Sequence, residues 1–522
     1  MAGHLFIVRG DLTRIACDAW LMPTGYKLYV EDYWLKPEPK GFQEALGAMR
    51  ANRDKAWKTG EERVREVPFW PDDRSRPWLV NIIYRKKERL VEAVEAFVER
   101  VLARGEKPRN ERERHLFALP VISTGFGGGA LVKGQVIATL VRDLLKLVAA
   151  KGVDIVLVTY TAPAFAAAQK ARFEAGFNWP DLCDELREKA RALAAVGSRQ
   201  GLALFLGAGV SCSAGLPSWN GLLEKLAEQI GLSGSELKEF SNLDVLDRGS
   251  VLERRFRARK QVVNDHIARI FSRTWDHSLL HGLLACLPAA EVITQNYDRL
   301  FEVAAEGAGE PVATLPYTPG DVHNRWLLKM HGCVSVPEDI VIRREDYLRY
   351  SERRAALAGI VQSTMLTRHM LFVGFSLRDG NFHRAVDDVR RALGGNHRNR
   401  LGTALFLAPS ALTAELWQSE LDIIHFSGKG SGKAVAEAAR KLEIFMDCVL
   451  GYCGSNTGHL LDPTFSHLLS PAEHEVKEAL LDLNSSLSPI ARKTRAFGKV
   501  KELLVSLGWE AQANESEPGS SV

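Results

Sequence analysis

The 522-residue sequence has no long apolar run. A helix needs roughly 18 consecutive apolar residues to cross a bilayer, so a membrane-spanning protein is not expected. The first residues lack a basic segment followed by an apolar stretch, and we expect no secretion signal. The seven cysteines are scattered and odd in number, which disfavours a disulfide framework and favours a reducing cytoplasm. The formal net charge of +4 is small for this length, which argues against a nucleic-acid partner.

What the sequence does contain is centred on residues 202–219, which read LALFLGAGVSCSAGLPSW. Its first five residues form an apolar run that is typical of a buried parallel strand. Gly207, Ala208 and Gly209 follow, and small side chains there would let the backbone approach a diphosphate. A helix start comes next, with free N–H groups that favour an anion. This order predicts a cradle for a nucleotide phosphate, and the alternative is a plain tight turn.

Three further motifs follow in order: TQNYD at residues 294–298, KMHG at 329–332 and GFSLRD at 374–379. With the first stretch, they resemble the NAD-binding signature, the Thr-Gln-Asn-x-Asp box, the catalytic His-Gly and the ribose-side Gly-x-Ser segment of the sirtuin family. The resemblance extends over residues 201–450 and implies NAD+ as the substrate. The NAD+-binding residues that it implies are Gly207, Ala208, Gly209, Ser211, Gly215, Pro217, Ser218, Trp219, Gly374, Ser376 and Asp379. For Ser376 and Asp379, a helix N-cap is an equally good explanation.

The predicted catalytic residues are Asn296, His331 and Asp298. Cleavage of the bond between nicotinamide and ribose passes through a cation-like sugar, so the enzyme must mainly hold and stabilise charge. The neutral amide of Asn296 can orient a water without quenching that cation. The imidazole of His331 can accept a proton from a ribose hydroxyl or hold it by a hydrogen bond. The alternatives are a turn residue for Asn296, a strand end for His331 and a purely structural carboxylate for Asp298.

Two departures from the deacylating sirtuins decide which activity the resemblance implies. Those enzymes usually carry two Cys-x-x-Cys pairs for zinc after the histidine, whereas the interval from His331 to Gly374 contains Cys333 alone. Ser218 and Trp219 also stand where the deacylases have Asp-Phe-Arg. The pattern is similar to bacterial sirtuin-like effectors that hydrolyse NAD+ in anti-phage defence. We therefore expect no metal, and water as the acceptor.

The N-terminal part carries a second pair of motifs, GDLT at residues 10–13 and STGFGGG at 123–129. They resemble the Gly-Asp-Ile-Thr box and the phosphate loop of macro domains, which commonly bind ADP-ribose. The residues that this resemblance places at a ligand are Asp11, Ser123, Thr124, Gly125, Phe126 and Gly127. Residues 22–25 read MPTG where macro domains have Asn-Ala-Ala-Asn, so we expect binding rather than hydrolysis of ADP-ribosyl bonds. The alternative is an α/β sheet without a ligand.

The predicted fold class is α/β. A macro-like three-layer α/β domain is expected at residues 1–190, followed by a sirtuin-like, Rossmann-type, doubly wound parallel sheet at 191–450. We expect a helical insertion at 233–287, C-terminal helices at 451–510 and a disordered tail at 511–522.

Two charged runs are interpreted as solvated surface, one at residues 104–114 and one at 254–260. For the basic run at 254–260, the alternative is contact with nucleic acid or with a partner.

These patterns predict a cytoplasmic NAD+ glycohydrolase that depletes NAD+ in anti-phage abortive infection. We expect control by an ADP-ribose or cyclic ADP-ribose-type signal at the N-terminal domain, or by a protein partner from the same defence system. A homo-oligomer is expected as well. The alternatives are an NAD-dependent protein deacylase or ADP-ribosyltransferase, and a catalytically silent NAD- or ADP-ribose-binding regulatory module.

Overall fold

Two β-sheets organise the part of the chain that the computed structural model describes. The residues described are 2–30, 34, 41–52, 55–59, 61–67, 70, 71, 73–82, 89–122, 133–318, 324–394, 400–426, 432–453 and 457–509. Within these ranges, no helix is both long enough and apolar enough to span a bilayer. The predicted loop residues Ser123, Thr124, Gly125, Phe126 and Gly127 and the predicted tail at 511–522 lie outside the described residues.

The first sheet has the strand order β1-β6-β5-β2-β4-β3. Its strands are β1 Leu5–Arg9, β2 Ala19–Thr24, β3 Val64–Glu66, β4 Arg76–Asn81, β5 Leu116–Pro120 and β6 Asp154–Thr159. All neighbours are parallel except the edge strand β3, which pairs antiparallel with β4. The helices of this region are α1 Phe42–Ala51, α2 Lys55–Thr59, α3 Arg89–Leu102, α4 Lys133–Lys151 and α5 Ala162–Glu174. The central strands are buried along their whole length, which explains their unbroken apolar runs.

The second sheet is entirely parallel, with the order β13-β12-β11-β7-β8-β10-β9. Its strands are β7 Leu202–Leu206, β8 Glu291–Thr294, β9 Ala313–Leu315, β10 Trp326–Lys329, β11 His369–Val373, β12 Gly402–Phe406 and β13 Leu421–His425. The chain builds outward from β7 through β8, then returns to place β11 on the other side of β7. Ligands of such sheets bind at the carboxyl ends of the strands, where the order reverses. The predicted α/β class with a doubly wound parallel sheet is confirmed.

The helices that follow the first region pack around this second sheet or continue beyond it. They are α6 Asp184–Ser198, α7 Ala208–Cys212, α8 Trp219–Gln229, α9 Gly234–Asn242, α10 Val245–Ala258, α11 Val263–Phe271, α12 Leu279–Ala285, α13 Leu300–Gly307, α14 Arg344–Leu348, α15 Tyr350–Arg353, α16 Ala355–Thr367, α17 Gly380–Ala392, α18 Ala411–Trp417, α19 Gly432–Tyr452, α20 Pro471–Ser486 and α21 Arg495–Ser506. Helices α9 to α12 occupy the segment predicted as a helical insertion. On α10, the basic run has exposed arginines, and Arg255 pairs with Glu236 at 3.3 Å.

Helix α19 joins the N-terminal or first region, which is built on the first sheet, to the second region, which is built on the second sheet. It does so because it packs against α6, α12 and β1. Its Asp447 is fully buried and accepts hydrogen bonds from Arg172 at 2.7 Å and from the Trp179 indole at 2.7 Å. The His4 imidazole lies 3.0 Å from the same carboxylate. Burial disfavours the Asp447 anion, yet Arg172 and His4 outweigh burial and leave its pKa below the ordinary value. A buried carboxylate with three partners ties α19 to the first sheet.

The prediction of a solvated loop at residues 104–114 is wrong for its second half. Residues 103–107 are exposed, but Arg112 is nearly buried and makes two hydrogen bonds to Glu443 of α19, at 2.9 and 2.7 Å. The side chain of Asn110 donates to the carbonyl of Ser213 at 3.1 Å. A charged run predicts exposure only where no partner that is distant in sequence neutralises the charge. For Arg112 that partner is Glu443, 331 positions away.

Candidate active site

The predicted motifs meet at the carboxyl edge of the second sheet. Leu206 of β7 and Lys329 of β10 both pair with Thr294 of β8, which lies between them. Asn296 and His331 each stand two positions beyond a paired residue, and the turn at 207–209 begins directly after β7. The parallel register therefore brings the turn at 207–209, the TQNYD motif and the KMHG motif to one edge, as the sequence predicted.

The side-chain amide of Asn296 is held on its nitrogen side. Nδ2 donates to the Gly207 carbonyl at 3.0 Å and to Ser211 Oγ at 3.1 Å. The Gly207 carbonyl oxygen can only accept a hydrogen bond, so the Asn296 atom that faces it must be the nitrogen and not Oδ1. The backbone N–H of Asn296 donates to Thr294 Oγ1 at 3.0 Å, which fixes the main chain as well. The Oδ1 atom is the one left to accept a hydrogen bond from a ligand or water.

Ser211 connects this amide to a buried carboxylate. Its hydroxyl donates to Asp298 Oδ2 at 2.8 Å, so its lone pairs face the Asn296 amide. The other oxygen of Asp298 accepts from the N–H of Leu300 at 3.0 Å, at the start of α13. His281 Nε2 lies 3.5 Å from the same hydroxyl. Ser211 and Asp298 thus form a fixed support for the Asn296 amide.

Lys329, on β10, holds this support in place. The sequence analysis did not assign this role to Lys329. Its buried ammonium group donates to the backbone carbonyl of Asp298 and lies 3.1 Å from Glu302. Burial alone would lower the pKa of Lys329, but Glu302, Cys333 and Asp298 together outweigh burial and the pKa lies above its ordinary value. A positively charged lysine therefore holds the loop that carries Asn296 and Asp298. The lysine lies in the KMHG motif, which was the available signal.

A cleft of about 330 Å³ opens beside the Asn296 amide, and we call it the Asn296 cleft. Its lining residues are Ala208, Ser211, Pro217, Ser218, Trp219, Leu222, Phe271, Gln295, Asn296, Tyr297 and Asp298. Seven of the predicted site residues are among them: Ala208, Ser211, Pro217, Ser218, Trp219, Asn296 and Asp298. The rings of Trp219 and Phe271 lie 6.0 and 5.9 Å from that of Tyr297 and give the cleft an aromatic wall. Ser218 also caps α8, through a hydrogen bond from the N–H of Gly221 at 3.2 Å.

The glycines of the turn are required for packing inside the protein. The sequence interpretation placed a diphosphate against Gly207 and Gly209, and the positions that their Cβ atoms would occupy face the loop at Gly374. A Cβ at Gly207 would overlap the Gly374 carbonyl oxygen, and one at Gly209 would lie 2.8 Å from its Cα. The N–H of Gly209 donates to that carbonyl at 2.9 Å. Small residues here let two backbone segments close against each other.

Gly209 and Gly374 line a second, larger cavity of about 1160 Å³. This cavity lies against a different face of α7 from the Asn296 cleft, with Cys212 and Ser213 in its wall. Residues 110–113 of the N-terminal region and α19 complete it. Among the described residues, clefts thus open on two faces of α7 at the carboxyl edge of the sheet.

His331 is not among the residues that line the Asn296 cleft. It is buried beside Tyr347, with ring centroids 5.4 Å apart, and its Nε2 lies 3.7 Å from Asp379 Oδ2. This nitrogen has no hydrogen-bond partner among the described residues. Burial lowers the pKa of His331 more than the Asp379 carboxylate raises it, so the imidazole is neutral at pH 7. Gly332 follows with φ +95°, a conformation that glycine adopts without strain.

The remaining predicted residues of the second region are placed as follows. Asp379 caps α17 by accepting from the N–H of Phe382 at 2.9 Å, and it accepts from the Tyr347 hydroxyl at 2.9 Å. Ser376 is exposed. Gly215 has φ +91° and lies outside the Asn296 cleft.

In the N-terminal region, Asp11 caps a short turn, since its Oδ1 accepts from the N–H of Thr13 at 2.9 Å and from its hydroxyl at 2.7 Å. It lines an open cleft of about 1300 Å³ between the ends of β1 and β6 and helix α13. Arg9, Arg14 and Tyr160 lie in the same wall.

Comparison with known proteins gives a family match for part of the chain. Residues 290–423 match the family model described as SIR2-like domain. The match runs from just before β8 into β13, and the sirtuin resemblance predicted from the motifs is confirmed for this part of the chain.

Individual relatives come next. The chain is 33% identical over 196 residues to the NAD(+) hydrolase ThsA of Bacillus cereus (strain MSX-D12), covering 36% of this chain and 40% of that protein. It is 31% identical over 202 residues to the NAD(+) hydrolase ThsA of Enterococcus faecium, covering 38% and 41%. It is 28% identical over 204 residues to Defense-associated sirtuin 2 of Bacillus subtilis, covering 37% and 20%. The chain spans about two fifths of the length of the two ThsA relatives.

Among solved structures, the macrodomain of Thermus aquaticus DarG aligns with 30% of this chain and 99% of its own length, at 21% identity and a TM-score of 0.22. The macrodomain of Mycobacterium tuberculosis DarG aligns with the same shares at 19% identity and a TM-score of 0.22.

Proposed function

We propose that the protein is an NAD+ glycohydrolase, which converts NAD+ and water into nicotinamide, ADP-ribose and a proton. The observation that carries this proposal is the Asn296 amide, which is held by Gly207 and Ser211 at the wall of an aromatic-lined cleft. The SIR2-like match and the names of the two ThsA relatives support it.

In this proposal Asn296 is the catalytic residue that orients the attacking water. Its two Nδ2 hydrogen bonds leave Oδ1 to accept from that water, beside the anomeric carbon. A neutral amide positions the water without forming an ion pair with the cation-like ribose. Asp298, predicted as catalytic, then acts through Ser211 as a positioning residue.

His331 contributes as a neutral hydrogen-bonding group in the same proposal. Its Nε2 lacks a hydrogen-bond partner among the described residues, and the Asp379 carboxylate stands 3.7 Å away. A neutral imidazole can accept a proton from a ribose hydroxyl, and the nearby carboxylate stabilises the imidazolium that forms. Bound NAD+ would need to bring its ribose to this nitrogen, which lies beyond the walls of the Asn296 cleft.

We further propose that the N-terminal region is macro-like and controls this activity. Asp11 lines a cleft that is closed on one side by α13, and α13 begins two residues after Asp298. A ligand of ADP-ribose or cyclic ADP-ribose type in that cleft would contact both regions at once. NAD+ depletion in cytoplasmic anti-phage abortive infection is the biological role that we propose, with a homo-oligomer or a partner of the same defence system as further means of control.

The test is to incubate the full-length protein with NAD+ alone and to measure nicotinamide and ADP-ribose. Parallel reactions contain ADP-ribose or cyclic ADP-ribose as candidate signals. We expect equimolar nicotinamide and ADP-ribose in at least one of these reactions, and none with Asn296→Ala. Nicotinamide that appears only when an acylated protein or a protein acceptor is added would instead show a deacylase or an ADP-ribosyltransferase. NAD+ binding without turnover under every condition would show a silent binding module.

A further inference from the structure

One loop of the N-terminal region, residues 109–113, lies against the SIR2-like site. Asp18 holds the chain at the start of this loop and again where β5 begins, since its two carboxylate oxygens accept from the N–H groups of Arg109 and Leu116 at 2.7 Å each. The middle of the loop is held by the buried pair of Arg112 and Glu443. The first sheet and α19 thus fix the position of the loop tip.

The tip has a backbone conformation that is unusual for side-chain-bearing residues. Asn110 has φ 53° and Glu111 has φ 56°, so two consecutive residues other than glycine are left-handed. Such residues persist where the surrounding contacts fix them, and asparagine tolerates this region better than most. The strain is therefore maintained by what the loop touches.

What the tip touches is the dinucleotide loop, which we define as residues 207–217. Asn110 Nδ2 donates to the Ser213 carbonyl at 3.1 Å. Its Oδ1 lies 3.2 Å from the position that a Cβ of Gly215 would occupy, and Gly215 is itself left-handed. Ser213 stands two residues after Ser211, which holds both Asn296 and Asp298. One side chain from the first region thus rests against the segment that supports the candidate catalytic amide.

We propose that Asn110 is a positioning residue, supplied by the N-terminal region, which holds the dinucleotide loop in its NAD+-binding conformation. This inference rests on the proposed function, since it takes NAD+ as the ligand. The SIR2-like site is then incomplete without the first region. A conformational change in the first region reaches the site through the contacts that Asp18 and Glu443 make with the loop at 109–113.

Asn110→Asp is the sharpest test, because aspartate has nearly the same shape and also tolerates a left-handed backbone. Its carboxylate cannot donate to the Ser213 carbonyl. Asn110→Gly is the second variant, which keeps the backbone conformation accessible and removes the side chain. The matched control is Asn242→Ala at the exposed end of α9. All are made in the full-length chain.

The measurements are the Kd for NAD+ by calorimetry, the melting temperature and the rate of nicotinamide release at saturating NAD+. Loss of one hydrogen bond predicts a rise in Kd of about fivefold for both Asn110 variants. Their melting temperatures stay within about 2 °C of the wild type, and their saturated rates within about twofold. Asn242→Ala keeps the wild-type Kd.

Wild-type Kd values in both Asn110 variants, beside a wild type that binds NAD+, overturn the inference and leave the proposed function intact. A raised Kd that accompanies a melting temperature lowered by more than about 5 °C in both variants shows a structural role only and also overturns it. A wild type that neither binds NAD+ nor releases nicotinamide overturns the proposed function, and the inference falls with it.

Discussion

The hydroxyl of Ser211 donates a 2.8 Å hydrogen bond to the carboxylate of Asp298. Because its single proton is used in this way, the hydroxyl can only accept from Asn296, whose Nδ2 lies 3.1 Å away. Asp298 therefore sets the orientation of the Asn296 amide through one intermediate oxygen. The Asp298 carboxylate thus acts on the Asn296 amide through the Ser211 hydroxyl, and all three residues line the Asn296 cleft.

Ser211→Ala is predicted to lower turnover more than binding. The change leaves a buried Asp298 oxygen without its donor, which costs about 1–3 kcal/mol, and leaves the Gly207 carbonyl as the one described partner of the Asn296 amide nitrogen. We expect kcat for nicotinamide release to fall by about tenfold to a hundredfold. Ser213→Ala is the matched control, because among the described residues that hydroxyl bonds the Val210 carbonyl alone. Equal kcat values for Ser211→Ala and the wild type would contradict the role given to Ser211.

Two glycine substitutions are predicted to change stability in opposite directions. Gly207→Ala forces the turn away from the Gly374 carbonyl and should cost about 1–3 kcal/mol in the free energy of unfolding. Gly359 lies within α16 and a Cβ there meets nothing within 4 Å. Gly359→Ala should therefore stabilise by about 0.5–1 kcal/mol. Urea unfolding measures both, and a Gly207→Ala protein as stable as the wild type would refute the interlocked turn.

Acid is predicted to destabilise the protein from about pH 6.5 downward, where unfolded histidine begins to bind protons. Burial lowers the pKa of His277 to about 4, of His281 well below its ordinary value, and of His331. The unfolded chain then binds protons that the native state refuses, so this stability is present above pH 6.5 and lost as the pH falls. A hydrogen bond to Asp18 raises the pKa of His115 and acts in the opposite direction.

For each net proton, the free energy of unfolding should fall by about 1.4 kcal/mol per pH unit in this window. Denaturant unfolding at a series of pH values between 7 and 4.5 measures the slope. A free energy of unfolding that stays constant over this range would contradict the buried, neutral state of the three histidines.

Much of the second sheet could be predicted from sequence because its strands are short apolar runs that end at recognisable motifs. The strand predicted over the first five residues of the stretch 202–219 matches β7, Leu202–Leu206, residue for residue. Strands β3 and β9 carry no comparable apolar run, since each has three residues and lies at a sheet edge. Local pattern is enough for a buried central strand and not for a short edge strand.

The site was predictable to the extent that its residues lie in local motifs. The motifs placed Asn296, Ser211 and Asp298 together, because parallel strands align their carboxyl ends. They could not reveal the contact of Asn110 with Ser213, which joins positions 103 residues apart. Nor could they reveal that His331 is enclosed by Tyr347 and Asp379 instead of the cleft. Contacts between regions depend on packing that no local pattern encodes.

The catalytic role of Asn296 is tested by comparing nicotinamide release from NAD+ by the full-length wild type and by Asn296→Asp, under the same activating condition. The two side chains have nearly the same shape, but a carboxylate cannot donate to Gly207 or Ser211, and it places a charge beside the cation-like ribose. We predict equimolar nicotinamide and ADP-ribose from the wild type, and a rate at least about a hundredfold lower from the variant with NAD+ binding retained. Release of nicotinamide by Asn296→Asp at the wild-type rate would contradict the account.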